Sequence, residues 1–298
     1  MHSDIDRPDQ VGLLGATSFV GACLLQKLKV ANVSFVAYTR REVKSGSTQV
    51  EWRKLESELP LSHKINTETP IALWISLIPI SVLPKYFNFL EAHNVRRIVS
   101  ISSTSRFTKL DSSDPNEQVY GQHIIEAEQR VQEWAEKRGI EWIILRPTLI
   151  YGYGQDKNIV EIMRFVRRFG FFPVFGNATG LRQPIHVQDL AGACLALLQS
   201  SHSANRAYNI SGAETLTYRE MVIRIFEVLE KKPRIISIPL WMFRVAIFVV
   251  RRIGRYEKWS SAMAERMNSD MVFDHSDLKR DFEFKPRAFT LTVEDLPV

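Results

Sequence analysis

The chain has 298 residues, 45% hydrophobic and 24% charged, with a formal net charge of +6. That is room for one large α/β domain, or one domain with a satellite lobe, in the composition range of ordinary globular proteins. No basic run exceeds two residues, so the excess charge is assigned to helix faces and a cleft for an anionic ligand rather than to nucleic acid.

Val11-Gly12-Leu13-Leu14 predicts a short apolar strand. Gly15-Ala16-Thr17-Ser18-Phe19-Val20-Gly21 then predicts a tight turn opening a helix through Leu28. Strand, glycine-rich turn and helix are the dinucleotide-binding order, in which backbone N–H groups and a helix N-terminus meet a pyrophosphate. Ser18 stands where a glycine would allow the closest approach. A second strand, Val33 to Tyr38, ends in Thr39-Arg40-Arg41 with no carboxylate before Glu42. Arginines at that place suit a 2′-phosphate, so the expected cofactor is NADP(H) rather than NAD(H).

Ile71–Leu77 and Arg97–Ile101 are near-continuous apolar runs, as parallel strands buried on both faces require. Pro79 and Pro84 separate them, before a helix through Leu90. The second run enters Ser102-Ser103-Thr104-Ser105. A helix is expected over Val119–Arg138, closed by Gly139, and another strand over Glu141–Pro147. Strands alternating with helices predict a doubly wound parallel sheet.

From Tyr151 glycines and prolines break the chain around one amphipathic helix, Ile159–Phe169. Leu181–Leu190 leads into an apolar helix ending near Leu198, and Ala207–Ile210 reads as a last strand. Thr217-Tyr218-Arg219-Glu220 is a capping box that opens a helix to Glu230. Residues 240–252 are the most apolar piece. They are too short to cross a bilayer, and are expected to pack on the protein in preference to a membrane surface. Cys23 and Cys194 both fall in helices without metal-ligand spacing. No metal or disulfide framework is expected, and a reducing, cytoplasmic setting is. Met1–Gln10 has no apolar core and does not read as a signal peptide.

Taken together these segments resemble the extended or atypical short-chain dehydrogenases/reductases of the nucleoside-diphosphate-sugar epimerase/dehydratase type. The likeness rests on five motifs in order: Gly15 to Gly21, Ile101-Ser-Ser-Thr104, Tyr120-Gly121 with Glu126-Ala-Glu128, Leu145-Arg-Pro-Thr148 to Tyr151-Gly152, and His186-Val-Gln-Asp189-Leu-Ala191. The resemblance implies a Rossmann domain over 1–152, to which 181–212 returns, with 153–180 and 213–298 forming a substrate lobe. It implies a cofactor site of Gly15, Thr17, Ser18, Phe19, Val20, Arg40, Arg41, Leu77, Tyr120, Pro147 and Thr148. Thr104 would hydrogen-bond the substrate oxygen and Tyr120 would exchange a proton. Arg182 would contact a diphosphate, with Arg287 the candidate for a second such arginine.

One departure stands out. The family carries a lysine four residues after the tyrosine, and this chain has Ile124. A free phenol has a pKa near 10, so only about one tyrosine in a thousand is ionised at pH 7, and recovering the phenolate takes roughly 4 kcal/mol. His123 is a candidate substitute. In the alternative reading, Ile124 extends an apolar helix stripe with Tyr120, Ala127, Val131 and Trp134. The expected function is therefore an NADP(H)-dependent oxidoreductase or epimerase-like enzyme acting on a carbonyl/alcohol pair of a small molecule, a sugar nucleotide among the candidates. The rival is a redox-silent NADP(H)-binding sensor or assembly subunit. The oligomer entertained is a homodimer.

Overall fold

The computed structural model describes residues 10–40, 50–55, 70–200, 204–239, 242 and 261–297. Arg41 and, apart from Met242, the apolar segment 240–252 lie outside them.

Seven parallel strands form the central sheet. In chain order they are β1 (Val11–Leu14), β2 (Phe35–Thr39), β3 (Glu51–Lys54), β4 (Leu73–Ser76), β5 (Arg97–Ile101), β6 (Glu141–Pro147) and β11 (Arg206–Ile210). Their spatial order is β11-β6-β5-β4-β1-β2-β3. The chain winds outward from β1 through β2 to β3 and then returns to β1's other side as β4. That reversal opens a crevice at the carboxyl ends of β1 and β4, where ligands of such sheets bind. The doubly wound α/β fold expected from the sequence is the fold observed. The edge strand β3 was not expected: Glu51-Trp52-Arg53-Lys54 is polar apart from Trp52 and exposed at both ends, and its apolar pattern is correspondingly faint.

Each face of the sheet carries its own core. On one, α1 (Phe19–Val30) and α6 (Val187–Gln199) bury Leu24, Leu28, Leu190, Cys194 and Leu197 against Leu13, Ile75 and Val99. On the other, α2 (Phe87–Ala92) and, beyond the short α3 (Ser105–Thr108), α4 (Pro115–Arg138) cover Val36, Trp74, Ile98 and Ile144. Gly12 exists for this second packing, since a Cβ there would lie 2.5 Å from the Trp74 ring. A third core is built from α5 (Ile159–Phe169), α7 (Tyr218–Val228) and residues near Ala264, Met267 and Phe289.

Helix ends follow local chemistry. Asp114 caps α4 through the Asn116 N–H, Pro115 occupies the first turn, Lys137 and Arg138 the last, and Gly139 closes it at φ +66. These signals place the start of α4 four residues before the expected Val119. Thr217 and Glu220 form the expected reciprocal capping box on α7. Three two-stranded sheets also form: β7 (Ile150–Tyr151) with β10 (Ile185–His186), β9 (Leu181–Arg182) with β12 (Leu216–Thr217), and β8 (Phe172–Phe175) with β13 (Ile235–Ile238). Among the described residues no helix is long and apolar enough to cross a membrane.

Candidate active site

The glycine-rich turn sits at the mouth of the crevice. Gly15 has φ +82, and a Cβ there would come within 2.9 Å of the Leu77 backbone, so both conformation and contact require glycine. Leu77 donates its N–H to Leu14 O at 2.8 Å and continues β4 beside the turn. Gly21 sits so tightly that a Cβ would meet the Gly15 and Ala16 carbonyls at 2.5 Å. Ser18 needs no glycine: it adopts an extended conformation and caps α1, its hydroxyl accepting from the Gly21 N–H at 3.1 Å. Thr17 is exposed, Phe19 is half-buried and Val20 is buried, and α1 carries no acidic residue in its first turn. This strand, turn and unopposed helix N-terminus fit a dinucleotide pyrophosphate. Arg40 is exposed just past the end of β2.

The loop after β5 stays tied to the end of β6. Ser102 N–H bonds Leu145 O at 2.7 Å and Thr104 N–H bonds Pro147 O at 3.2 Å. The Thr104 hydroxyl also donates to Pro147 O, at 3.1 Å. Thr148 donates its hydroxyl to Gln183 O, and Pro147 is buried beside it. Because α4 runs back along the sheet, its N-terminal turns lie at this same carboxyl edge. Tyr120 projects from the second turn and is half exposed. Ile124, by contrast, is 3% exposed and packs in the core with Ala127 and Val131. Tyr120 therefore stands off the apolar stripe to which Ile124 belongs. His123 is exposed.

Two features of this edge went unread in the sequence. The first is Lys109, whose ammonium lies 4.4 Å from the centroid of the Tyr120 ring. The second is an ionic cluster beneath the Ser102–Thr104 loop. Glu128, its side chain 1% exposed, accepts from Ser102 Oγ at 2.5 Å, from Arg146 at 2.6 and 3.0 Å, and from Arg106. Only the burial of Glu128, at helical spacing from Ile124, could have hinted at it. Both guanidiniums also lie over the Phe107 ring, which sits tilted against Phe273 of the C-terminal segment, centroids 5.7 Å apart.

Arg182 lies deeper than its expected role suggests, at 5% exposure on the Tyr218 ring. Nη1 donates to Leu181 O and Ser269 O at 2.7 and 2.8 Å, and Nη2 donates to Arg266 O. Burial pulls its pKa down to about 10 and pushes that of Tyr218 up to about 12. Arg287 is locked to Asp189, with side-chain contacts of 3.0 and 3.1 Å, at the start of α6. His186 caps α6 and packs against Gly152. Among the described residues no group of three His, Cys, Asp or Glu could hold a metal ion, and Cys23 and Cys194 are buried and free.

Residues 85–211, which hold the Thr104 loop, Tyr120 and the edge of β6, match the profile of the NAD dependent epimerase/dehydratase family. The resemblance to that family is borne out. The chain is 28% identical over 205 residues to an uncharacterized protein, y4nG, of Sinorhizobium fredii, covering 66% of this chain and 50% of that one. It is 25% identical over 229 residues to the UDP-glucose 4-epimerase of Vibrio cholerae, covering 76% and 66% respectively. The chain thus spans half to two thirds of the length of these two relatives. It is also 20% identical over 273 residues to NADH dehydrogenase [ubiquinone] 1 alpha subcomplex subunit 9 of Dictyostelium discoideum, covering 87% of this chain and 76% of that one. Among solved structures, the UDP-N-acetylglucosamine 4-epimerase of Bacillus cereus superposes with a TM-score of 0.69 at 16% identity, covering 94% of this chain and 92% of that one. That likeness is one of fold.

Proposed function

We propose that this epimerase/dehydratase-like chain is an NADP(H)-dependent enzyme that interconverts a carbonyl and an alcohol on a sugar nucleotide. The observation that carries the reading is the shared address of its parts. The Gly15–Gly21 turn, Thr104 at the end of β5, Thr148 at the end of β6 and Tyr120 on the first turns of α4 all belong to one edge of one sheet. When bound, a nicotinamide dinucleotide supplies a hydride acceptor or donor. The chain's own residues do the rest: the α1 N-terminus faces the pyrophosphate, Arg40 meets a 2′-phosphate, the Thr104 hydroxyl turns from Pro147 O to the substrate oxygen, and Tyr120 takes or returns its proton. Cys23 and Cys194 are both free thiols, which suits a reducing, cytoplasmic setting. The likeness to UDP-sugar enzymes supports the substrate class.

Arg182 can serve that substrate while holding the carbonyls of 181, 266 and 269, because among the described residues its three carbonyl bonds use Nη1 and Nη2 and not Nε. UDP-sugars added in the presence of NADP are expected to raise the melting temperature of the wild type but not of Arg182→Ala or Arg182→Lys, each measured against its own baseline. No shift with any UDP-sugar in the wild type would remove the sugar-nucleotide assignment.

The cofactor preference follows from Arg40. Calorimetric titration is expected to give tighter binding of NADP(H) than of NAD(H). Arg40→Glu is expected to reverse the order, by weakening NADP(H) about tenfold or more. Equal wild-type affinities would refute the preference.

A second reading, a redox-silent NADP(H)-binding subunit, is favoured by Ile124. An apolar side chain packed in the core supplies no charge to Tyr120, and the likeness to an NADH dehydrogenase subunit runs along most of the chain.

A further inference from the structure

We propose that the outer face of the β8–β13 sheet, with the end of α5, docks the protein on a membrane surface rich in anionic lipid. The apolar part of this face is a continuous strip, of the kind that marks an interaction site. Phe169 ends α5 at 51% exposure, and Ile236 on β13 is 50% exposed. Between them stand Phe171 and Pro173, both half-buried. The Phe169 ring centroid lies 4.6 Å from that of Phe165 and 6.4 Å from that of Phe171. Strand register carries the strip across the sheet. Phe172 and Val174 are buried in the third core, which turns Pro173 outward, and Ile236 is the partner of Pro173.

The local sequence builds a basic rim around the strip. Gly170, at φ +75, ends α5 and turns the chain straight into β8, so Phe169 and Phe171 flank one turn. The loop after α7 is tied alongside. Lys231 Nζ donates to the Val166 and Arg167 carbonyls at 3.3 and 3.1 Å, and the Phe172 N–H donates to Arg234 O at 2.9 Å. These bonds set Lys232, Pro233 and Arg234, all exposed, beside the aromatic end of α5. Arg168 completes the rim, its guanidinium 5.2 Å from the Phe169 ring centroid. Nearby carboxylates are few: Glu161 pairs with Arg164 at 2.8 Å, and Glu227 and Glu230 stand exposed at the end of α7. Among the described residues Arg168, Lys232 and Arg234 form no ion pair.

The occupant follows from this charge pattern. Exposed phenylalanine and isoleucine flanked by arginine and lysine match a surface that has an apolar layer beneath a sheet of negative headgroups. The rings enter the boundary between headgroups and acyl chains, while the long cationic side chains reach back to the phosphates. A second copy of the chain fits poorly. A two-fold pairing of this face would set Arg168, Lys232 and Arg234 against the same three cations of the partner. The net charge of +6 adds a longer-range attraction to an anionic surface. None of the candidate site residues belongs to the strip, so binding to lipid can be read apart from turnover.

The test mixes the 298-residue chain with vesicles and measures the bound fraction by sedimentation. One set is phosphatidylcholine alone, the other equal parts of phosphatidylcholine and phosphatidylglycerol. Binding is expected to the anionic vesicles, and about tenfold or more weaker to the neutral ones. Phe169→Ser and Ile236→Ser, made singly, are each expected to weaken binding about tenfold, the contribution of one large apolar side chain, whereas Phe169→Trp is expected to retain it. Arg168→Gln, Lys232→Gln and Arg234→Gln combined are expected to weaken it about a hundredfold, roughly fivefold per cation. A control with the same loss of charge, Lys29→Gln, Lys85→Gln and Lys137→Gln, removes three exposed lysines elsewhere and is expected to weaken it less than about tenfold. Circular dichroism checks folding, and Ile236→Ser carries the apolar test if Phe169→Ser folds poorly. No preference for anionic vesicles would overturn the proposal. So would serine variants that bind as the wild type does, or a control that loses as much as the rim triple. A dimer in sedimentation velocity that Ile236→Ser dissolves would also overturn it, since a second copy would then cover the strip.

Discussion

Replacing Glu128 with alanine is expected to lower the folding free energy by about 3–5 kcal/mol, the usual cost of removing one member of a buried ionic cluster. The carboxylate is almost wholly buried and joins three elements: Ser102 after β5, Arg106 in the helix that follows, and Arg146 on β6. Without it, two guanidiniums whose side chains are only 20% and 14% exposed would face each other with no counter-charge, and Arg106 Nε already has no hydrogen-bond partner among the described residues. Against a total stability of about 5–15 kcal/mol, that loss would leave a large unfolded fraction on warming. Glu128→Gln keeps the shape but not the charge and is expected to fall between. Urea denaturation with an unchanged m-value checks the order. A loss below about 1 kcal/mol for Glu128→Ala would mean the cluster is solvated and contributes little.

Much of the fold was legible because the strands that matter are buried on both faces. Glu141–Pro147 and the helix Ile159–Phe169 have the bounds that their apolar spacing predicts, and the Thr217 capping box declared its helix. What stayed hidden depends on contacts distant in sequence or on polar pieces. β3 is polar apart from Trp52 and has little apolar pattern. The two-residue strands near 150, 181, 185 and 216 are too short to carry a period. The glycines of the turn were legible as a motif, but their separate tasks were not: Gly12 yields to Trp74, Gly15 to its own φ, and Gly21 to two carbonyls. Ser18 read as a flaw, and proves to cap its helix. The cation over Tyr120 was sought at positions 123 and 124, one turn along the helix. Lys109, whose ammonium lies over the Tyr120 ring, comes from outside the helix, where no helical spacing could reveal it. Arg182 was legible as a candidate diphosphate contact, but its ties to the carbonyls of 266 and 269 were not.

Tyr120→Phe is expected to lower turnover about 10²–10⁴-fold, the usual contribution of a positioned proton-transfer group, while leaving dinucleotide affinity within a few-fold of wild type. Tyr120 is half exposed and belongs to no core, so loss of its hydroxyl should cost little stability and the defect will be one of chemistry. Loss of binding and turnover together would instead make Tyr120 a cofactor contact alone. The most direct measurement mixes the purified wild-type protein and its NADP with a panel of UDP-sugars and records the absorbance of reduced nicotinamide. At least one sugar nucleotide is expected to produce that absorbance in the wild type, with the signal forming 10²–10⁴-fold more slowly in Tyr120→Phe. Tight NADP binding with no reduction by any member of the panel would contradict the enzymatic account and leave a redox-silent nucleotide-binding subunit.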